Sequence, residues 1–474
     1  MYKRQPLKVT ADVEPELEDA PLRYAAARAA AGDTQRAIGT YQGLLNPKTS
    51  TYVRRAALDA SLRLDKVQAQ QRILEVLHGS DSALKPVAIA NIPALPSGNA
   101  SAVFAAELPN LTAPEQVWMI DSLAARRDTA ACTAIGNSLA SPHAAVRREA
   151  IDALGRIGGT WCVPIYARTL AGSTDADERR AIQSALIVLP GGRQTDRAII
   201  AALKKSSGVT RAMLVTAIAR REGPAANLLL LAEADQTDPA VATAAFRALS
   251  QTAGSKELTR LLELLTGIGD AEVRAEAEIA AAQAIARTTN PANRFAAVKT
   301  ALGWAQSVDC RIALLRLLPA CGDADALNAL KAAAVGSDIR LRAAAVRALA
   351  DWPDISGWEV MIAVYHEPIS EASRGLILRG LVRLVVEENT HPDAKLIAHY
   401  RELLAVARND AGLRLILGAL GGVAHPEALQ LALPLLDDAD VHAEAEVAVR
   451  KIAQAIKAQD PQAAEAALKR LQPK

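Results

Sequence analysis

Residues 145–159, AVRREAIDALGRIGG, decide how the rest of the chain is read. Val146, Ala150, Ala153, Leu154 and Ile157 fall at i, i+4, i+7, i+8 and i+11, which is one apolar stripe along a helix. Pro142 suits a helix start and Ser141 is a candidate cap, while Gly158 and Gly159 end the segment. Arg147 stands in the first turn, and a small and then an apolar residue follow six and seven positions on.

The same pattern returns at Arg179 (Ala185, Leu186), Arg211 (Ala217, Ile218), Arg274 (Ala280, Ala281), Arg342 (Ala348, Leu349) and Arg374 (Gly380, Leu381). Arg311 fits with a larger Leu317, and Ala242 fits without the arginine. Arg54, Lys85 and Gln116 lie upstream, and Arg414 and His442 are looser copies downstream. From Arg54 the spacings are 31, 31, 31, 32, 32, 31, 32, 37, 31, 32, 40 and 28. A period of 31–32 residues marks a repeat architecture, with a second helix such as KELTRLLELLTGI (256–268) between anchors. One helix pair cannot bury its own stripe, so neighbouring pairs must stack. The 37- and 40-residue intervals are the places to expect lengthened helices, loops or a change of pitch.

Composition agrees. Half of the 474 residues are apolar but only 3% are aromatic, which favours helix over a large sheet. With 54 basic and 52 acidic residues the net charge of +2 supplies no global attraction to nucleic acid or an anionic membrane, although a local patch is compatible with it. No apolar run reaches the length of a membrane span. Residues 1–19 have a basic start without an apolar stretch, so they do not read as an intact signal peptide. The expectation is a cytoplasmic protein, or an exported one if a leader has been removed.

The V-R-x-x-A…A-L-G-x-[IL]-G pattern, best seen in SPHAAVRREAIDALGRIGG, DAEVRAEAEIAAAQAI and SDIRLRAAAVRALADWPD, resembles the HEAT repeat, particularly its short form in many bacterial proteins. The resemblance covers about residues 50–455 and implies an all-α solenoid of stacked antiparallel helix pairs. HEAT arrays serve many roles, so it implies little about function. Residues 22–45 differ: Gly32, Ala37 and Tyr41 match the second half of a tetratricopeptide unit, and an irregular cap explains them equally. The expected organisation is an extended or disordered segment over 1–21, a cap over 22–50, the array over 51–455, and a capping helix over 456–474. The chain order also resembles exported bacterial HEAT-repeat proteins, some of which carry a sugar-active or haem domain.

Seven arginines at equivalent positions, Arg147, Arg179, Arg211, Arg274, Arg311, Arg342 and Arg374, are the main candidate feature. Exposed, they would form a ladder suited to phosphates or acidic peptides. The structural alternative pairs each with a turn aspartate, and Asp177, Asp270, Asp309 and Asp338 are placed to serve. HEAT repeats are known for such ladders, so the structural role is the expected one. Residues 348–368 gather Asp351, Trp352, Asp354, Trp358, Tyr365 and His366, either lining a cleft or forming a Trp-Pro turn and the buried face of the next helix.

Cys132, Cys162, Cys310 and Cys321 form no CxxC pair and read as small buried hydrophobes, a disulfide between Cys132 and Cys162 being the alternative. The seven histidines form no HExxH, and Pro392 separates His391 from His399. No phosphate loop, nucleophile elbow or dinucleotide fingerprint occurs. Catalytic HEAT-like proteins exist among alkylpurine DNA glycosylases, but no matching constellation can be placed on Trp118 or Trp161; phycobilin-lyase-type proteins are a second such class. The expectation is a non-catalytic, monomeric scaffold without cofactor or metal that binds a protein or peptide. The competing expectation is an enzyme or accessory module of an exported carbohydrate-active or haem-containing system.

Overall fold

The computed structural model describes residues 14–96, 98–389, 392–407 and 409–471. Of these, 79% are helical and none lies in a strand. The chain forms two compact units that divide between Gly223 and Pro224, inside the stretch whose repeat period runs on unbroken. Among the described residues no helix is long and apolar enough to cross a membrane.

Every anchor in the sequence falls on its own helix. In the first unit these helices are Thr51–Leu64, Lys85–Ala90, Ala113–Ala125, Ala144–Ile157, Ala176–Val188 and Gly208–Glu222. In the second they are Pro239–Thr252, Ala271–Arg287, Val308–Cys321, Ile339–Ala350, Glu371–Glu387, Asp410–Leu420 and His442–Ile456. A second helix stands between each consecutive two, for example Cys162–Gly172 and Ser255–Gly267. Within each unit, successive anchor helices pack side by side, and each also packs against the second helices next to it. The result is a row of pairs in which each layer touches only its neighbours.

The packing explains the motif. The apolar residue seven positions after the anchor is fully buried at Leu154, Leu186, Ile218, Leu249, Leu349 and Leu381, each such side chain contributing about 1.5–3 kcal/mol of burial free energy. The small residue at six positions lies where adjacent helices approach most closely. A Cβ on Gly155 would sit 2.9 Å from the Cβ of Ala185, and a Cβ on Gly380 would sit 2.8 Å from the Cα of Ala350. In both contacts position eight of one repeat meets position six of the next. A large side chain there would force the layers apart.

The long intervals resolve into lengthened helices. Ala271–Arg287 and Glu371–Glu387 have 17 residues each, against 14 in Ala144–Ile157, about one extra turn. Each is followed by a full-length second helix, Pro291–Trp304 or Ala394–Val406. Asn290 caps the former by accepting from the Ala292 N–H, and Pro291 takes its first position.

At the N-terminal end, helix already begins at Glu14, so an extended segment reaching to residue 21 is corrected for 14–21, whereas residues 1–13 lie outside the described part. Glu14–Ala30 and Thr34–Gly43 form a pair turned at Gly32, where φ is +85°. Ala25, Ala37 and Tyr41 pack against Ala57 of the first anchor helix. At the other end, Pro461–Arg470, capped by Asp460, covers His442–Ile456.

Candidate protein-binding face

Arg54, Gln116, Arg147, Arg179, Arg211, Ala242, Arg274, Arg311, Arg342 and Arg374 each stand fourth in their helix. Side chains tilt toward a helix's N-terminus, so a residue here reaches back over the turn that precedes its own helix. That turn carries the unsatisfied carbonyls that end the preceding helix, and a guanidinium brings five donors and a charge favourable to a helix C-terminus.

The contacts repeat at one offset. Arg147 donates to the Ser141 carbonyl at 3.0 Å, Arg179 to Ser173 at 2.8 Å, Arg274 to Ile268 at 2.9 Å, and Arg311 to Ala305 at 3.1 Å. Each acceptor lies six residues before its arginine. Arg374, in the longer helix, reaches Glu367 at 2.9 Å and Tyr365 at 3.3 Å. Nδ1 of His442 donates to the Leu436 carbonyl at 2.6 Å, again six residues back. Arg294 does the same to Thr288 from the fourth position of Pro291–Trp304. Arg211 and Arg342 occupy the same place and are half-buried.

Asp177, Asp270, Asp309 and Asp338 are not the partners of the anchor arginines. Asp270 and Asp338 cap the arginines' own helices, accepting from Glu272 and Val273 and from Arg340 and Leu341. Asp177 pairs with Arg180, and Asp309 with Arg340. An N-cap carboxylate is turned inward to its own first-turn amides, which removes it from the arginine. Arg54 pairs with the turn residue Asp81 and Arg374 with Glu371 of its own helix, while two anchors engage a glutamate from the next repeat. Arg147 Nε lies 2.8 Å from Glu178, and Lys85 Nζ lies 3.3 Å from Glu115. Both glutamates are buried and directly precede the next anchor. Burial pushes the Glu178 carboxyl up, but hydrogen bonds from Ser173 and Arg147 outweigh it and hold the group below the usual carboxylate range. Glu115 is likewise held low against burial, by Thr112 and Lys85.

A further set of arginines, not anticipated from the sequence, sits near the ends of the anchor helices. Arg126 donates to the carbonyls of Ile92 at 2.8 Å and Leu95 at 3.0 Å. Arg221 binds those of Leu186, Ile187 and Leu189 at 2.8–2.9 Å and pairs with Asp196. Arg287 binds Ser250 at 2.8 Å and Ala253 at 3.0 Å, and Arg383 binds Ala350 and Trp352. Each closes the end of the preceding anchor helix. A basic residue near the last turn, one repeat after another helix end, was the available signal.

The aromatic segment is core. Trp352 is fully buried and its Nε1 donates to Ser356 at 3.1 Å. Trp358 donates to Glu402 at 2.8 Å and stacks on His399 with ring centroids 4.2 Å apart. Tyr365 is buried as well. Burial lowers the His399 pKa, the charge of Lys395 adding to it. His391 lies outside the described residues. Among the described residues no three His, Cys, Asp or Glu side chains gather to hold a metal ion. The four cysteines are free and buried, and burial pushes Cys162 up to about 11 and Cys321 up to about 12.

What faces outward in repeat register lies five positions after the anchor. In the second unit this position carries Arg247, Ile279, Arg316, Arg347 and Arg379, all exposed, and then half-buried Ala419 and exposed Val447 in the two looser copies. Arg247 reaches Glu276 at 2.7 Å and Arg316 reaches Glu278 at 3.4 Å. Arg347 and Arg379 make no side-chain hydrogen bond or ion pair among the described residues. In the first unit the same position holds Asp59, Asp121 and Asp152, with Ala90, Ser184 and Thr216 in the other repeats. Asp59 is paired with Arg63 at 3.0 Å and Asp121 with Arg156 at 2.9 Å.

Comparison with known proteins agrees with the architecture. Residues 197–282 match the family model for HEAT repeats. No curated protein matches the chain significantly. Among solved structures it is similar to the karyopherin Kap121p bound to the SUMO protease Ulp1p, with a TM-score of 0.52 at 10% identity over 92% of this chain and 55% of that one. It is similar to Kap121p bound to Ste12p, with a TM-score of 0.51 at 11% identity over 98% of this chain and 55% of that one. The chain thus spans about half the length of that karyopherin, and at such identity the likeness is one of fold. Period and packing make each unit an all-α, HEAT-like stack of helix pairs, and the family match identifies HEAT repeats over residues 197–282.

Proposed function

We propose that the chain is a non-catalytic scaffold that binds another protein through the outward ridge of its anchor helices in the second unit. The observation that carries this is the repeat-registered row Arg316, Arg347 and Arg379, of which the last two are exposed and make no ion pair among the described residues. Arg147, Arg179, Arg274, Arg311 and Arg374 are spent on backbone carbonyls, and Arg147 also on Glu178, so these anchors hold layers together and leave recognition to the ridge. A stack of near-identical layers offers an extended surface, which is how repeat proteins engage partners. The protein-bound complexes of Kap121p support the reading by analogy of fold.

The test is site-specific photocrosslinking from position 347 in cells of the source organism, with position 67, where exposed Val67 stands in the first unit, as control. The expected result is a discrete protein adduct at 347 that the control lacks. Equal labelling from both positions, or adducts only with nucleic acid or small molecules, would overturn the proposal.

A further inference from the structure

Resting on that protein-binding reading, we infer that the ridge over Arg316, Arg347 and Arg379 takes an extended acidic peptide with a carboxylate at every third residue. The three arginines occupy one position in three consecutive repeats, on helices Val308–Cys321, Ile339–Ala350 and Glu371–Glu387 that pack in sequence. Neighbouring packed helices lie about 8–10 Å apart. A chain in the polyproline II conformation advances ~3.1 Å per residue with about three residues per turn, so three residues cover one helix spacing and every third side chain returns to the same face. One carboxylate therefore meets each guanidinium only when acids recur at i, i+3 and i+6.

The charges around the ridge favour this ligand. Acids on the three helices are engaged elsewhere: Asp309 with Arg340, Glu371 with Arg374, and Glu387 with Arg383. Asp351, one turn beyond Arg347, makes no ion pair with it among the described residues. Arg347 and Arg379 are thus left with uncompensated charge, and planar guanidinium groups take carboxylates in a two-pronged geometry. A nucleic acid fits less well. Its continuous phosphate charge would run on past the row onto Glu276, which already neutralises Arg247, whereas Glu278 engages one nitrogen of Arg316 at 3.4 Å and leaves its other donors to a peptide carboxylate. The ridge also carries Ile279 where a stacking platform would need an aromatic ring. In the first unit the same position carries Asp59, Asp121 and Asp152, and elsewhere Ala90, Ser184 and Thr216, with no basic residue, so the ligand's preference is for the second unit's ridge.

The experiment measures fluorescence anisotropy of labelled peptides with the full chain. One peptide carries aspartate at every third position among glycine and serine; a second has the same composition with its aspartates contiguous; a single-stranded oligonucleotide is the third probe. The spaced peptide should bind at least tenfold more tightly than the contiguous one. Arg347→Glu with Arg379→Glu should weaken it more than tenfold, and Arg347→Ala with Arg379→Ala by several-fold, with unchanged circular dichroism. Affinity should fall as salt is raised. Equal binding of the two peptides, tighter binding of the oligonucleotide, or no binding of the spaced peptide would each overturn the inference. If the spaced peptide fails while a protein adduct still forms at position 347, this inference falls and the scaffold reading stands; if both fail, both fall.

Discussion

Arg147 and Glu178 lie 31 residues apart in sequence and 2.8 Å apart in space, with the carboxylate almost wholly buried between two layers. The same guanidinium holds the carbonyls of Ser141 and Pro142. One side chain therefore closes its own turn and fastens the next repeat. Arg147→Ala strands a buried carboxylate, and the expected loss is on the order of 2–3 kcal/mol. Pairing it with Glu178→Gln should recover part of that loss, because the stranded charge is removed. Chemical denaturation of the single and double variants checks this; additive losses would contradict it.

The close approach of Gly380 to Ala350 gives a second expectation. A Cβ at 380 would lie 2.7 Å from a backbone carbonyl oxygen, whereas one at Gly375 on the same helix meets nothing within 4 Å. Gly380→Val should destabilise by about 1–3 kcal/mol through overpacking. Gly375→Ala should stabilise by about 0.4–1 kcal/mol, since the helical backbone there accepts it. Thermal melts of both variants decide, and the same sign for both would refute the packing account.

Acid should loosen the first unit at identifiable points. Folding lowers the carboxyl pKa of Glu178 and Glu115, so their contribution is fully present above the unfolded value of about 4.3 and is lost as pH falls through the lower folded value. Glu178→Gln should reduce stability at pH 7 and flatten the fall in melting temperature below pH 4.5. Melting curves that stay parallel to the parent's across that range would count against the assignment.

The thiols should be silent. All four are buried, and Cys162 and Cys321 are pushed up by burial, so thiolate is scarce at neutral pH. A colorimetric thiol reagent should find no fast-reacting cysteine in the folded chain and four after denaturation. A cysteine that reacts within minutes in the native protein would show an opening that the packing does not have.

The repeat was legible because it rests on local chemistry: an apolar stripe, a small residue at the crossing and a basic residue in the first turn. The same cues located every anchor helix. Their contacts were legible only in part. From spacing, Asp270 looked like a partner of Arg274, yet an aspartate at a helix N-cap satisfies its own amides first. The helix-end carbonyls bound by Arg126, Arg221, Arg287 and Arg383 lie thirty or more residues away, and no local pattern names a carbonyl at such distance. The ridge of Arg316, Arg347 and Arg379 was hidden differently. It shares the anchor's period but sits on the solvent face, where a charged residue has no packing consequence to betray it.

The central claim is a division of labour between two sets of arginines, and one paired measurement tests it most directly: stability and affinity for the spaced acidic peptide, in Arg147→Ala and in Arg347→Ala with Arg379→Ala. The account predicts that the first variant loses on the order of 2–3 kcal/mol while its folded fraction binds as the parent does, and that the second keeps the parent's stability and loses most of the binding. The reverse pattern, with binding lost at Arg147 and stability lost at Arg347 and Arg379, would contradict it.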